Sequence, residues 1–427
     1  MRILIVSNLY PPHFIGGYEL GCSDVAQALE ARGHHVTVLT SCHGVGRPTS
    51  DGNVHRWLYH ASLDSGDRSR APRWSALARL EVANQRAFDR IWLRQPPDVV
   101  YIWNLARIPI SLALRAEARG AVCYYVSDQW LALWSERGWY EDAWYRLNTA
   151  APARMPARIA RALMRSAFTI ARLTWTGDTL QLRHVQFCSA FLKNATLQAG
   201  RRVADGEIVH WGVDAHAFRP ASATHANESR CSRLLYVGQL TPRKGVHTAV
   251  EALSHLHAAG LRHLTLTIAG PCHGTAYETR LREQVASSGL GDSVRFVGAQ
   301  SRDRLPAIYR EHGILLFPSR WDEPFAITPL EAMASGLAVV GTTAGGSREI
   351  FEHEVNALIF PEEDSLACAD RIHRLATDPE FAAALGQRAR RTILEQFTLE
   401  RMVDRIEYGL ARCAESTTSD PARSLTA

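Results

Sequence analysis

Two glutamates eight positions apart, Glu323 and Glu331, stand in EPFAITPLEAMASG, followed by the strand-like LAVVGT and a turn at Gly345-Gly346. Ile314 to Pro318 reads as a short buried strand. The apolar spacing of Leu330, Ala332, Met333 and Ala334 then reads as a helix, which predicts Glu323 in a strand-to-helix loop and Glu331 in the first helical turn. With Thr328 as cap and Pro329 at the first helical position, the unpaired amides around Phe325, Ala326 and Ile327 are left to face an anion, here expected to be a diphosphate. An ionised Glu331 accepts hydrogen bonds only and can take two from vicinal ribose hydroxyls. Glu323 can meet the hydroxyls of a sugar. A second reading of Glu331 stands beside the first, because Thr328-Pro-Leu-Glu331 also spells a capping box, in which the carboxylate merely satisfies a backbone amide.

Lys244 and Arg243 fall in another strand-to-helix loop, at the carboxyl edge where ligands of open α/β sheets bind, and Gly245 permits close backbone approach. The two cations can neutralise a departing diphosphate, or they are solvated loop charges. Gly16 and Gly17 occupy the first such loop and allow the backbone close to phosphate or acceptor. Their context, GGYELG, is not the GxGxxG of dinucleotide binders, and the second strand ends Leu39-Thr40-Ser41 without the acidic residue that holds a cofactor ribose. Both points weigh against an NAD-dependent oxidoreductase. Asp128, at the carboxyl end of the strand around Tyr124 to Ser127, is either an acceptor hydrogen-bonder or base, or a helix cap.

At 427 residues, 46% hydrophobic and 21% charged, the chain is long for one core, and two domains are expected. Strands are predicted at Arg2 to Ser7, Val36 to Thr40, Asp98 to Trp103 and Val122 to Ser127. After the polar stretch ASATHANESRCS they resume at Arg233 to Val237, Leu264 to Ala269, Ser293 to Val297, Ile314 to Phe317, Ala338 to Gly341 and Ala357 to Phe360. Their alternation with amphipathic segments calls for helix-covered parallel sheets. The domains are placed at residues 1–214 and 230–396, with a helix over 397–413 and a disordered tail over 415–427. No run reaches the ~18 apolar residues of a membrane span, and Ile3 to Val6 is too short for a signal peptide, so a cytoplasmic protein is expected. Eight scattered cysteines without metal-site spacing read as free thiols of a reducing compartment.

Between Arg146 and Val203, nine arginines and Lys193 face only Asp178, and MPARIARALMRSAFTIARL lines Met155, Ile159, Leu163 and Ala167 along one helical face. A basic amphipathic helix suits an anionic membrane surface, such as the inner face where a lipid-linked acceptor would be met. It equally suits a surface helix packed on the sheet. Trp130, Trp134, Trp139 and Trp144 can stack on sugars but are read mainly as core. A net charge of +5 without a recognition motif argues against nucleic acid.

PSRWDEPFAITPLEAMASGLAVVGTTAGGSREI resembles the signature of the family 4 retaining glycosyltransferases, whose pattern is a glutamate, seven residues and a second glutamate. The resemblance extends through LLYVGQLTPRKGVHTAVEAL, through IVHWGVDAHAFRP and through the N-terminal MRILIVSNLYPPHFIGGYELGCSDVAQALEARGHHVTVLTS, and thins at about residues 43–95 and 130–180. It implies a GT-B fold of two Rossmann-like parallel-sheet domains facing a cleft, the first for the acceptor and the second for the nucleotide sugar. It further implies that the C-terminal helix crosses back to the first domain and that Lys244 binds phosphate. The implied reaction moves a hexosyl or related sugar from a nucleoside diphosphate to a hydroxyl of a glycan or lipid-linked acceptor. The expected catalytic residues are Lys244, Arg243, Glu323 and Asp128, and the donor binders Gly17, Gln239, Phe325, Ala326, Ile327 and Glu331. Two positions depart from the family pattern: Gln239 stands where a second phosphate-binding arginine is usual, and Ser127 where a histidine precedes the aspartate. A GT-B epimerase or phosphorylase and a non-catalytic nucleotide-sugar-binding protein are the alternatives. No Asp-x-Asp occurs, and Glu362, Glu363 and Asp364 read as a helix start, so no metal cofactor is expected.

Overall fold

The computed structural model describes residues 1–60, 74–132, 155–170, 180–221, 230–271 and 274–418. The chain forms two compact units, one of Met1–Val209 with Val403–Ala427, the other of His210–Met402.

In the first unit an eight-stranded sheet is built from β1 (Arg2–Ser7), β2 (His35–Ser41), β3 (Thr49–Asp51), β4 (Val54–Leu58), β5 (Val99–Asn104), β6 (Val122–Val126), β7 (His184–Phe187) and β8 (Asp205–Ile208), in the order β3-β4-β2-β1-β5-β6-β7-β8. Every neighbouring pair is parallel except β3 with β4. The central strand β5, VVYIWN, is buried along its whole length, as a strand covered on both faces must be. β1 lies between β2 and β5, so the strand order reverses there, and the loop after β1 is the one that carries Gly16 and Gly17.

The second unit holds a six-stranded parallel sheet of β9 (Arg233–Val237), β10 (Thr265–Ala269), β11 (Val294–Gly298), β12 (Ile314–Phe317), β13 (Ala338–Gly341) and β14 (Leu358–Ile359), ordered β11-β10-β9-β12-β13-β14. Here the reversal falls at β9, between β10 and β12. The loops that leave β9 and β12 are the two that carry Gln239 to Lys244 and Glu323. One core of Leu234, Val250, Leu253, Leu266, Ile268, Leu316, Val340 and Leu358, among others, joins this sheet to its helices.

The two-domain α/β architecture with parallel sheets is as the sequence led one to expect, and the ten expected strands are present within about two residues of their reading. Four others, β3, β4, β7 and β8, were not anticipated. The units divide at Val209/His210 and Met402/Val403, so Val213 and Asp214, expected in the first domain, lie in the second. Val213 is held there by its amide to the Phe397 carbonyl at 2.9 Å and by the Leu399 amide to its own carbonyl at 3.0 Å. Most of the polar stretch expected as the linker, residues 222–229, lies outside the described residues.

The last helix, Leu399–Thr418, brings the chain back to the first unit and is longer than the sequence suggested. It buries Val403, Ile406, Leu410 and Cys413, and its rim pairs Asp404 and Glu407 with Arg32, Arg405 with Glu207, and Arg412 with Asp205. Residues 415–418, expected in a disordered tail, belong to this helix; 419–427 lie outside the description.

The basic segment forms the helix Met155–Ile170, whose Met155, Ile159, Leu163 and Ile170 are 55–85% exposed. Those apolar side chains do not pack on the sheet. Trp130 is buried, as expected, whereas Trp134, Trp139, Trp144 and Arg154 lie outside the described residues. The described cysteines are free and buried. No helix among the described residues is long and apolar enough to cross a membrane.

Candidate functional site

In the second unit the loops after β9 and β12 are held against each other. Gly245 sits in the left-handed region at φ 67°, where a Cβ would overlap the carbonyl oxygen of Pro318, and the Arg320 amide donates to the Arg243 carbonyl at 2.9 Å. This closeness brings the side chains together. The Lys244 ammonium pairs with Oε1 of Glu323, and the Ser319 hydroxyl donates to the same oxygen at 2.8 Å. Glu323 is buried, and its backbone is equally constrained: it bridges Gly345, and the Gly346 amide donates to its carbonyl at 2.7 Å. Gly345 has φ 61°, and a Cβ there would strike the backbone of Asp322 and Glu323. The Gly-Gly turn therefore exists to carry Glu323.

Downstream of Glu323 the backbone runs through buried Phe325 and Ala326 into the helix Ile327–Ala334. Its N-cap is Ala326, with no side-chain cap, which corrects the sequence reading. Thr328 and Pro329 are the second and third helical residues, so Thr328 lies two positions past the cap and the expected capping box does not start the helix. Glu331 instead accepts from the Tyr309 hydroxyl at 2.8 Å. Phe325 is stacked by the His210 ring, centroids 5.3 Å apart, and His210 Nε2 lies 3.0 Å from Oε2 of Glu349.

The Arg243 guanidinium lies over the Trp321 ring, 4.8 Å from its centroid, so this exposed cation is oriented by an aromatic face. Gln239 accepts at its carbonyl from the Tyr236 hydroxyl at 2.9 Å and from the Thr241 amide at 3.0 Å. Asp364 caps the helix Ser365–Thr377 through the Ala367 amide at 2.8 Å, and Glu363 pairs with Arg320 at 2.9 Å. Among the described residues no three histidine, cysteine or acidic side chains are grouped to hold a metal.

The first unit presents its own constellation at the carboxyl edge of its sheet. Gly16 is the N-cap of the helix Gly17–Ala31, and Glu19 reaches back to accept the Gly16 amide at 2.9 Å. This carboxyl group is fully buried, and burial pushes its pKa from 4.5 up to about 7 against the opposing backbone hydrogen bonds. The neighbouring Tyr18 phenol is raised well above its ordinary value by burial, then by the fields of Glu19 and Asp128. Asp128 accepts from the Gln129 amide at 2.7 Å and is followed by a turn over 129–132; the described residues show no helix for it to cap. Beside it, Ser127 Oγ and Asn104 Nδ2 are buried without a hydrogen-bond partner, although Asn104 Oδ1 accepts from the Ala106 amide at 2.7 Å.

Thus Lys244, Glu323 and Arg243 gather around the two facing loops, with Gln239, Phe325 to Ile327 and Glu331 on the same elements, while Gly17 and Asp128 share the other unit. Ser319, Tyr309, Glu19 and Asn104 were not anticipated. Glu19 had a signal, the glutamate three residues after the capping glycine. Ser319 and Asn104 act within their own loops, on Glu323 four residues on and on the Ala106 amide two residues on, whereas Tyr309 meets Glu331 from 22 residues away, where spacing carries no cue. Chemically, the second unit offers a lysine, an oriented arginine and a helix N-terminus for a polyanion, with fixed carboxylates for hydroxyl groups.

The family described as Glycosyl transferases group 1 matches residues 222–392. A D-inositol 3-phosphate glycosyltransferase of Salinispora arenicola is 31% identical over 201 residues, 43% of this chain and 45% of that protein, so the match spans less than half the length of that relative. An uncharacterized glycosyltransferase of Methanocaldococcus jannaschii is 32% identical over 429 residues, 94% of this chain and 96% of that protein. Among solved structures, Anabaena HepE in complex with UDP-glucose superposes with a TM-score of 0.66 at 19% identity, over 96% of this chain and 100% of that one.

Proposed function

The chain belongs to the group 1 glycosyl transferases, and from that premise we propose that it is a retaining glycosyltransferase, moving a sugar from a nucleoside diphosphate to a hydroxyl acceptor in glycan, polysaccharide or glycolipid synthesis. The observation that carries this reading is the meeting of Lys244 and Glu323 at the carboxyl ends of β9 and β12, directly ahead of the helix start at Ile327. Lys244, Arg243 and the amides of Phe325 to Ile327 neutralise the departing diphosphate, where preorganised charge lowers the barrier. Glu323 orients the transferred sugar and Glu331 takes the ribose hydroxyls. In the front-side displacement proposed here, the anomeric carbon–phosphate oxygen bond breaks as the acceptor oxygen bonds on the same face. The acceptor proton passes to the departing diphosphate. Asp128, with the unpartnered Ser127 Oγ and Asn104 Nδ2 beside it, is assigned to the acceptor.

Relatives that are named glycosyltransferases give the epimerase, phosphorylase and binding-protein alternatives no support. Fixed cations and amides serve the leaving group without a divalent metal in this reading, so transfer should survive EDTA; loss on chelation with recovery in Mn²⁺ or Mg²⁺ would reassign the diphosphate site. In the same proposal the acceptor is lipid-linked and met at an anionic membrane surface, a reading supported by the exposed Met155, Ile159, Leu163 and Ile170 of the helix Met155–Ile170. A thermal-shift series with UDP, GDP and ADP sugars, followed by product analysis with and without acceptor, tests the central assignment, since a ligand that binds only the native state raises its stability. No shift with any of the three would remove it.

A further inference from the structure

We propose that Tyr309 is a positioning residue for donor binding: through Glu331 it sets the enzyme's preference for a ribose that carries its vicinal hydroxyls. The inference rests on the assignment of Glu331 to ribose. Tyr309 lies on the helix Leu305–Glu311 and is fully buried, so it acts on a ligand only through a neighbour. Its hydroxyl is 2.8 Å from Oε2 of Glu331 and 3.4 Å from the Thr328 carbonyl. The shorter bond, to a carboxylate, is the stronger one, so the proton is directed at Glu331. An edge contact with Phe218, centroids 5.7 Å apart at 72°, fixes the ring itself. Burial and the adjacent carboxylate both raise the phenol's pKa, which keeps it a neutral donor.

A glutamate on a helix surface samples many rotamers, and ordering it on binding costs free energy. Tyr309 removes that cost before the ligand arrives. Two ribose hydroxyls donating to a carboxylate need its plane held in one orientation, and a buried phenol on a neighbouring helix supplies that restraint from the protein side. The Phe variant deletes one oxygen and keeps the ring that packs against Phe218.

Calorimetric affinities for UDP and GDP, each beside its 2′,3′-dideoxy counterpart, test the inference. Wild type is expected to favour the ribo form of the nucleotide it binds by roughly tenfold or more, the range of hydrogen bonds to a charged group, and Glu331→Ala to lose that preference. Tyr309→Phe should bring the ratio to within about threefold while leaving the dideoxy affinity unchanged. The double variant should bind no more weakly than Glu331→Ala alone, because the two residues act as one unit. A Tyr309→Phe protein that keeps the wild-type ratio, or that loses both nucleotides equally, overturns the inference. If wild type binds nucleotide but Glu331→Ala leaves the ratio intact, the ribose assignment of Glu331 fails instead, and Tyr309 falls with it.

Discussion

Lys244 and Glu323 share an ion pair between side chains that are 23% and 9% exposed, so each is partly desolvated and depends on the other's charge. Lys244→Ala should lower kcat by roughly a hundredfold, the usual cost of removing one preorganised charge at a developing anion, and also leave Glu323 buried without its counter-ion. Steady-state turnover with the donor identified by thermal shift decides the matter, and near wild-type kcat in both Lys244→Ala and Arg243→Ala would end the electrostatic account. Glu19 offers a test through pH. Its folded carboxyl keeps a proton to about pH 7, whereas the unfolded one releases it near 4.5. Between those values the native state binds more protons, so stability falls as pH rises through the window. Glu19→Gln keeps an acceptor for the Gly16 amide and never ionises. It should match wild type near pH 4 and exceed it by up to roughly 3 kcal/mol at pH 8. Thermal melts at both pH values measure this, and a constant difference across them would show that Glu19 does not titrate in this range.

Element by element, within each unit the strand order reverses at the strand whose following loop carries a candidate residue, β1 ahead of Gly17 in the first and β9 ahead of Lys244 in the second, and that placement follows from sheet topology rather than from any one side chain. The helix Met155–Ile170 stands apart. It exposes Met155, Ile159, Leu163 and Ile170 in a segment of the chain with many arginines and almost no acids, an arrangement that suits an anionic interface. Co-sedimentation with phosphatidylglycerol vesicles should be strong at low salt and fall steeply by physiological ionic strength, because exposed charges are screened within about 8 Å there. Equal binding to neutral and anionic vesicles, or none to either, would point to an acceptor in solution. Val99–Asn104 and Ile314–Phe317 were legible as strands because they are continuous apolar runs. Thr49–Asp51 and Asp205–Ile208 were not, since half-exposed polar residues are held there by ladder partners rather than by their own propensity.

For the whole molecule, the C-terminal helix decides where a domain ends. Val403, Ile406, Leu410 and Cys413 are each 0% exposed, and at about 1.5–3 kcal/mol per buried aliphatic side chain their loss approaches the 5–15 kcal/mol stability of a typical domain. A chain stopped after Met402 should therefore lose its first unit's cooperative melt, with soluble yield falling accordingly. Differential scanning calorimetry of the truncated and full chains checks this, and an unchanged thermogram would show that the first unit is complete without its returning segment.

What the sequence determined by itself was local: the alternation of strand and helix, the two-domain count, the loop location of Lys244 and Glu323, and the absence of any Asp-x-Asp. These follow from chain length, from hydrophobic periodicity and from turn chemistry between near neighbours. It misplaced the helix start at Thr328, because Thr-Pro is a common cap spelling and only the packing of buried Phe325 and Ala326 brings the helix forward to Ile327. Which side chain each glutamate touches was settled by tertiary contacts alone. Glu331 meets Tyr309 from 22 residues away and Glu323 meets Lys244 from 79, and contacts of that range are set by which strands become neighbours. For Glu331 the sequence offered a ribose ligand beside a capping-box alternative; the helix takes its cap at Ala326 instead, and the carboxylate is met by a buried phenol.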